Sequence, residues 1–355
     1  MLRREFAGIL AAGAAAAQST GLEVALLTHA DGPHLSAYLE GLALAPEVGA
    51  VYLADAGAEA PARKALGAKL AGVFKTPKEL LAAKKPKLAL IPMEARLAPP
   101  VVAAALDAGC HVMAEKPACV RAEDFAPLAA KANARKQFLM LAFANRIDPL
   151  FVEARRLMQA GTFGKLYGME MHLIADQTRL TRPAYHKTWT ASKARAGGGH
   201  LIWLGIHWLD LAMYITGAPI AKIAGFTANV GGQPIDTEDA AAVTFQFAGG
   251  ALGTLTSGYY IDRGKQSHFK FWGEKGWMEL RQDDPASTLV WQVHGGPVQK
   301  AKPAGPSGYT PWVRHSVRAA LGLEKPVLTA DESLRALKTV FAGYAAAEHG
   351  QSRTV

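Results

Sequence analysis

Lys116, at the end of an apolar run, and His207, inside a hydrophobic segment, are of residue types that can carry acid/base chemistry. A lysine beside an alcohol can stabilise the developing alkoxide or relay its proton, once burial and neighbours tune its pKa. Read bare, Lys116 is a solvated strand-end lysine, and His207 a structural histidine on an apolar helix face. Asp210 lies one helical turn beyond His207, placed to orient it or to cap a local network. A second set lies earlier. Thr28-His-Ala-Asp-Gly-Pro-His34 stands where G-x-G-x-x-G would let backbone approach a pyrophosphate at a helix N-terminus. Thr28, Ala30 and Pro33 fill the three glycine positions, with Gly32 beside the last. His29, Gly32 and His34 are then the candidate contacts to a cofactor, and Asp31 reads as a helix N-cap. Asp55 ends the second apolar run. An acid there accepts hydrogen bonds from both ribose hydroxyls of NAD and repels a 2′-phosphate, so NAD is favoured over NADP.

Those residues need a scaffold that brings strand ends and a helix face together. From Glu23 the chain alternates apolar runs with helical stretches. Strands are expected over Glu23–Thr28, Ala50–Asp55, Leu88–Pro92, His111–Glu115 and Gln137–Phe143. Helices are expected between them, over His34–Leu44, Glu59–Ala68, Pro99–Ala108 and Ala122–Ala134. Such alternation implies crossover connections and a parallel sheet covered on both faces. This is a doubly wound α/β sheet, in which ligands sit at the carboxyl ends of the strands. The rhythm changes after a helix over Pro149–Ala160. Lys165–His172 alternates with period two, and a helix is expected over Gly199–Gly217. Strand-like segments follow at Lys222–Val230, Ala240–Phe247, Ala251–Gly258, His268–Trp272 and Trp277–Leu280, with a hairpin turn at Phe247–Ala251. Two helices, near Trp312–Leu321 and Asp331–His349, close the chain. The expected organisation is a nucleotide domain over residues 21–145 and an α+β domain over 146–355. The second carries a large open, mainly antiparallel sheet whose free face suits substrate or a second subunit.

The segment Ala104-Ala-Leu-Asp-Ala-Gly-Cys-His-Val-Met-Ala-Glu-Lys-Pro117 carries a more specific signal. It resembles the A-x-x-A-G-x-H-V-x-x-E-K-P pattern of the Gfo/Idh/MocA oxidoreductase family, at Ala108-Gly109, His111-Val112 and Glu115-Lys116-Pro117. Further resemblances follow in the family's order: Phe143-Ala-Asn-Arg146-Ile-Asp-Pro149, then Gly197-Gly-Gly-His-Leu-Ile-Trp-Leu-Gly-Ile-His207-Trp-Leu-Asp210. Glu238-Asp239, Phe247-Ala-Gly-Gly-Ala251 and Gly273-Glu-Lys-Gly-Trp277 complete the series, which covers nearly the whole chain after residue 20.

The resemblance implies a Rossmann-type first domain and NAD(P)-dependent hydride transfer at a hydroxyl of a sugar, polyol or glycoside. It also implies a homodimer or homotetramer. It places Lys116 at the reacting hydroxyl and the nicotinamide, with a cis bond to Pro117 aiming it, and makes His207 the acid/base partner. It places Pro92, Glu94, Glu115 and Arg146 beside the cofactor. The sequence departs from the family at Trp203, where an aspartate commonly stands four residues before the histidine. Indole is a donor only and cannot act as a base. Trp203 is therefore a candidate stacking platform for a sugar ring, while His200 and the pair Tyr185-His186 are candidates to supply the missing acid/base capacity. Met93-Glu94 likewise replaces the family's Thr-Pro-Asn type of turn.

Composition limits the remaining options. The chain has 355 residues, with 39 Lys+Arg against 30 Asp+Glu and a net charge of +9. The basic residues are scattered, Lys84, Lys85 and Lys87 being the densest cluster, without interleaved aromatics. They read as a solvated surface, not as a nucleic-acid site. Cys110 and Cys119 give neither a disulfide framework nor metal-ligand spacing, so no metal is expected. No apolar run suits membrane insertion beyond the Ala-rich start. There, Arg3-Arg4, Phe6 and the mild run Gly8–Ala17 resemble a twin-arginine type of export signal over residues 1–20, pointing to a periplasmic or exported protein. Three functions fit. One is an exported NAD(P)-linked sugar or polyol oxidoreductase that retains its cofactor. Another is a glycoside hydrolase that uses NAD transiently, by oxidation and elimination. The third is a sugar-binding relative without the chemistry.

Overall fold

The computed structural model describes residues 21–54, 56–282 and 288–355. The expected export segment and Asp55 lie outside the described residues.

The first half runs β1 (Leu22–Leu27), α1 (Leu35–Leu44), β2 (Val48–Ala54), α2 (Glu59–Leu66), β3 (Leu70–Phe74), α3 (Pro77–Ala83) and β4 (Leu88–Ile91). It continues with α4 (Ala98–Asp107), β5 (His111–Ala114), α5 (Ala122–Ala134) and β6 (Leu139–Leu141). The strands form a parallel sheet of order β3-β2-β1-β4-β5-β6. Continuous apolar runs such as Val24–Leu27 and Leu88–Ile91 are fully buried, as strands covered by helices on both faces must be. The order reverses between β1 and β4, which opens a crevice at their carboxyl ends. β3, not anticipated from sequence, is an edge strand whose Leu-Ala-Gly-Val-Phe is only part-buried, so its pattern is weak.

The second half opens with α6 (Pro149–Gln159), whose N-cap Asp148 accepts from the Leu150 amide at 2.9 Å. Next come β7 (Leu166–Asp176), α7 (Lys193–Ala196) and α8 (Ile206–Thr216). β8 (Ile220–Ala228), β9 (Ala240–Phe247), β10 (Leu252–Ile261), β11 (Lys265–Gly273), β12 (Gly276–Arg281), β13 (Thr288–Val293) and β14 (Gln299–Ala301) follow. The chain ends with α9 (Tyr309–Ala320), α10 (Ala330–His349) and β15 (Arg353–Thr354). Among the described residues the second sheet has nine strands, ordered β14-β13-β12-β11-β7-β10-β9-β8-β15. It is antiparallel except where β10 runs parallel to β7. Alternation along β7 buries Met169, Met171 and Leu173 against the helices and leaves Glu170 and His172 on the open face. The two halves interlock, because α9 packs on α1 and α10 packs on α5 and β8. No helix among the described residues is long and apolar enough to cross a membrane.

Candidate active site

Lys116 lies just past β5, its peptide bond to Pro117 is cis, and it is 2% exposed. Its Nζ donates to the Trp203 backbone carbonyl at 2.5 Å and lies 3.5 Å from the centroid of the Trp203 ring. A carbonyl and an indole face replace water poorly around a full charge. Desolvation therefore pulls the amine down to about 7, with Glu115 opposing the shift and Arg179 adding to it. The indole is held in turn by His34, stacked at 5.7 Å, and by Trp189, edge-on at 5.5 Å.

Glu115, next to the lysine, is fully buried and accepts from two phenols. Tyr38 donates at 2.8 Å and Tyr309, on the first turn of α9, at 3.0 Å. The Tyr309 hydroxyl also lies 3.0 Å from His34 Nδ1. Burial and then the Glu115 charge hold both phenols well above their ordinary pKa, so they stay protonated donors. Glu115 thus anchors a polar wall; its carboxylate is not left free for a ligand.

The helical stretch that carries His207 starts at a close crossing. A Cβ on Gly199 would sit 1.9 Å from the Glu238 carbonyl oxygen. The Glu238 carboxylate accepts from the Gly199 and Leu201 amides at 2.6 and 2.9 Å, satisfying the open helix end. Leu201–Gly205 then form a π-helical turn before α8. Such turns often occur at functional sites, and this one contains Trp203, whose carbonyl takes Lys116. His207 packs edge-on against Phe143 at 5.5 Å, and burial followed by Lys116 pushes its pKa well below that of an ordinary imidazole. The ring is therefore neutral, and its buried Nδ1 has no partner among the described residues.

Two motif residues fall outside the roles expected for them. Asp210 gives its oxygens to Arg146, which donates from Nε at 2.9 Å and Nη2 at 2.7 Å, and so does not orient His207. Arg146 also donates to Glu332 at 2.9 Å and to the Val327 carbonyl at 3.1 Å. A guanidinium this buried needs carboxylates in contact. It cross-links the 144–147 segment, α8 and the start of α10, and is not a cofactor ligand.

In front of α8 lies a cavity of about 510 Å³, bounded by His34, Lys116 and Asn145 on one side and by His207 and Tyr309 beside them. Arg179, Tyr259 and Lys265 also line it. The size suits a small ligand. Tyr185 and His186 are not part of its lining. His186 Nε2 lies 2.6 Å from the Leu180 carbonyl oxygen within its own loop, and the Tyr185 ring packs behind the Arg179 guanidinium at 5.5 Å. His200 is fully buried, with Nδ1 2.8 Å from Ser257 Oγ, and burial pushes it down to about 3, so it cannot serve as a base near neutrality through a charged form. Trp203 covers Lys116 and lies outside the cavity lining. Sequence reasoning missed Tyr309, Arg179, Tyr259 and Lys265. The one available signal was the Arg179-Leu-Thr-Arg182 pair in a polar loop directly after a strand.

Residues 27–143 match a family profile described as an oxidoreductase family with an NAD-binding Rossmann fold. Residues 151–279 match the GFO/IDH/MocA C-terminal domain. The chain belongs to the Gfo/Idh/MocA oxidoreductase family. D-glucoside 3-dehydrogenase of Escherichia coli is 31% identical over 154 residues, 43% of this chain and 42% of that protein. The chain spans about half the length of the curated relatives it matches. An oxidoreductase domain protein from Kribbella flavida superposes with a TM-score of 0.84 at 22% identity, covering 95% of this chain and 99% of that one. Aldose-aldose oxidoreductase from Caulobacter crescentus, complexed with glycerol, superposes with a TM-score of 0.79 at 21% identity, covering 94% and 100%. At these identities the two structures establish the shared fold.

Membership in the Gfo/Idh/MocA family implies a dinucleotide at the β1/β4 crevice, and the loop there fits one without its glycines. A Cβ on Gly32 would sit 2.2 Å from Thr28 Oγ1 and 2.7 Å from the Pro92 carbonyl, so the turn is as tight as a glycine-rich one. Thr28 Oγ1 donates to that carbonyl at 2.7 Å, fastening the loop to the end of β4. His34, with φ 55°, ends the loop, and α1 begins without an acidic residue in its first turn. Its N-terminal amides are thus suited to a pyrophosphate. Asp31 does not cap α1; His34 holds that position without a side-chain cap. His29 Nε2 accepts from the Glu94 amide at 3.0 Å, and the Glu94 carboxylate is taken by Arg195 and Arg96. These residues frame the crevice.

Proposed function

We propose that this chain is an NAD(P)-dependent oxidoreductase acting on a hydroxyl group of a sugar, polyol or glycoside. The observation that carries the reading is Lys116. It is a buried amine lowered to about 7, on the lining of the cavity in front of α8. A general base is most effective when its pKa lies near the working pH. When bound, the nicotinamide supplies a hydride acceptor for the carbon of the alcohol. The loop 28–34 and the first turn of α1 would hold the pyrophosphate, with the Pro92–Glu94 turn beside them. Lys116, neutral and donating one N–H to the Trp203 carbonyl, keeps a lone pair that accepts the hydroxyl proton. His207, neutral as well, hydrogen-bonds the same oxygen or passes the proton outward. Asp55 favours NAD over NADP.

The carbohydrate class is supported by the name of the Escherichia coli relative, D-glucoside 3-dehydrogenase. Arg3-Arg4 and the run after them support export, which suits an enzyme that keeps its cofactor. The open face of the second sheet, with Phe226 75% and Leu252 59% exposed, supports a homodimer or homotetramer. The deciding experiment denatures the purified protein and identifies the released small molecule by absorbance and mass. About one NAD(H) per chain is expected. A protein that releases none and fails to bind added NAD(H) would be a sugar-binding relative. Release of an aglycone without net redox change would identify the NAD-using hydrolase.

A further inference from the structure

The cavity that Lys116 borders is also lined by Arg179, Arg182, Tyr259 and Lys265, all hydrogen-bond donors. Arg179 and Arg182 stand on the loop after β7, and Lys265 opens β11. The Asp176 charge acts on both arginines and the Asp148 charge acts on the exposed Lys265, while the groups that touch Arg179 and Lys265 directly are neutral. The Arg179 guanidinium lies 4.5 Å from the centre of the Tyr259 ring, and Lys265 faces the Trp208 ring at 5.6 Å and the Gln282 amide oxygen at 3.3 Å. Asp176 is the one carboxylate in the lining, and its Oδ1 is engaged by the Thr178 amide at 2.7 Å. Three cations therefore face one carboxylate. Arg179 Nε and the Tyr259 hydroxyl are both buried without a hydrogen-bond partner among the described residues. An unpartnered buried donor is costly, and a ligand oxygen recovers that cost. A neutral sugar needs acceptors as well as donors, because each hydroxyl is both. Cations and idle donors in one lining match an acceptor-rich, anionic group, and the Arg179 guanidinium is steadied there by the Tyr259 ring.

We propose that the substrate of this cavity is an acidic sugar, its carboxylate or phosphate held by Arg179, Arg182 and Lys265 and its reacting hydroxyl placed at Lys116. The position of the hydroxyl rests on the oxidoreductase reading, whereas the charge of the ligand rests on Arg179, Arg182 and Lys265 alone. The test is calorimetric titration of the purified full-length protein with four probes of one hexose series: D-glucose, D-glucuronate, D-galacturonate and D-glucose 6-phosphate. At least one acid is expected to bind about tenfold or more tightly than glucose, and to weaken as salt rises. A uronate winning identifies a carboxylate; the phosphate ester winning identifies a phosphate. Arg179→Gln and Arg182→Gln should each weaken the acid about tenfold, and weaken it several-fold more than they weaken glucose. Arg182 is exposed, so its variant reports even if Arg179→Gln misfolds. Glucose binding as tightly as every acid, no acid binding at all, or acid binding indifferent to both substitutions each overturns the proposal. An acid that binds but is never oxidised with NAD(P) supports the charge assignment and overturns the oxidoreductase reading. Glucose oxidised with NAD(P) while no acid binds does the reverse.

Discussion

Arg146 and Lys116 are 3% and 2% exposed, they meet the same helical stretch around α8, and their chemistry is opposite. Arg146 touches two carboxylates. Burial works against its charge, but Asp210 and Glu332 outweigh burial and hold the guanidinium above its ordinary pKa. Lys116 touches a carbonyl and an indole ring, neither of which carries charge, and falls to about 7. Equal burial thus produces a permanent strut behind the helix and a titratable group in front of it. The neighbour's charge, not the depth, decides which.

The largest effect that tests the contrast is on turnover. Lys116→Met keeps the volume and the apolar contacts but removes the base, so turnover should fall about 10⁴-fold, the upper range for a lost acid/base group. The melting temperature should hold or rise, because the buried amine costs stability whenever it must give up a proton to fold. Activity within about tenfold of the parent would remove Lys116 from the chemistry. The opposite signature is expected behind the helix. Asp210→Ala leaves Arg146 short of a partner and should cost about 3–5 kcal/mol in denaturant unfolding. The paired change Arg146→Met with Asp210→Leu should recover most of that loss, since it strands no charge.

A smaller effect comes from pH. With the free base required, kcat/KM should rise about tenfold per pH unit below 7 and level off above it. Stability follows its own sign. The folded value, about 7, lies below the ordinary 10.5, so the unfolded chain binds the extra proton between them and stability from this group rises with pH across that window. The slope should vanish in Lys116→Met. A rate profile flat through neutrality, with a parallel stability curve in the two proteins, would place the amine's proton outside the reaction.

The two faces of the helix also differ in what the sequence disclosed. The parallel sheet was legible because continuous apolar runs, punctuated by helices, admit few other arrangements. Lys116 and His207 were legible as a motif in chain order. Arg146 and Asp210 were legible only as motif members, and their mutual pairing was not, since a pattern records that residues co-occur without saying which touches which. Tyr309 and Arg179 reach the cavity from α9 and from an irregular loop, so no periodicity or local spacing announces them. The π-helical turn is similarly silent in sequence, although it moves the Trp203 carbonyl onto the lysine. Edge strands such as β3 and β14 have one exposed side and therefore little pattern to read.

The smallest effect separates the two contacts that hold Lys116. Trp203→Phe removes the indole but keeps the backbone carbonyl that accepts from Nζ. A benzene face attracts a cation less than an indole does, and the difference is a fraction of the roughly 0.5–2 kcal/mol of the whole interaction. The smaller ring also admits some water, which favours the charged amine. The two changes oppose each other in pKa, so the inflection of the rate profile should move by less than about one pH unit, with turnover changed a few-fold. Trp203→Asp breaks the comparison deliberately, because it gives Lys116 the charged neighbour that Arg146 has. The amine should then stay protonated well past neutrality, and the inflection should move upward by more than in the phenylalanine variant. If instead Trp203→Phe alone abolishes turnover while the fold is intact, the indole contacts substrate directly, and the contrast between a charged and an uncharged neighbour is not what sets the lysine apart.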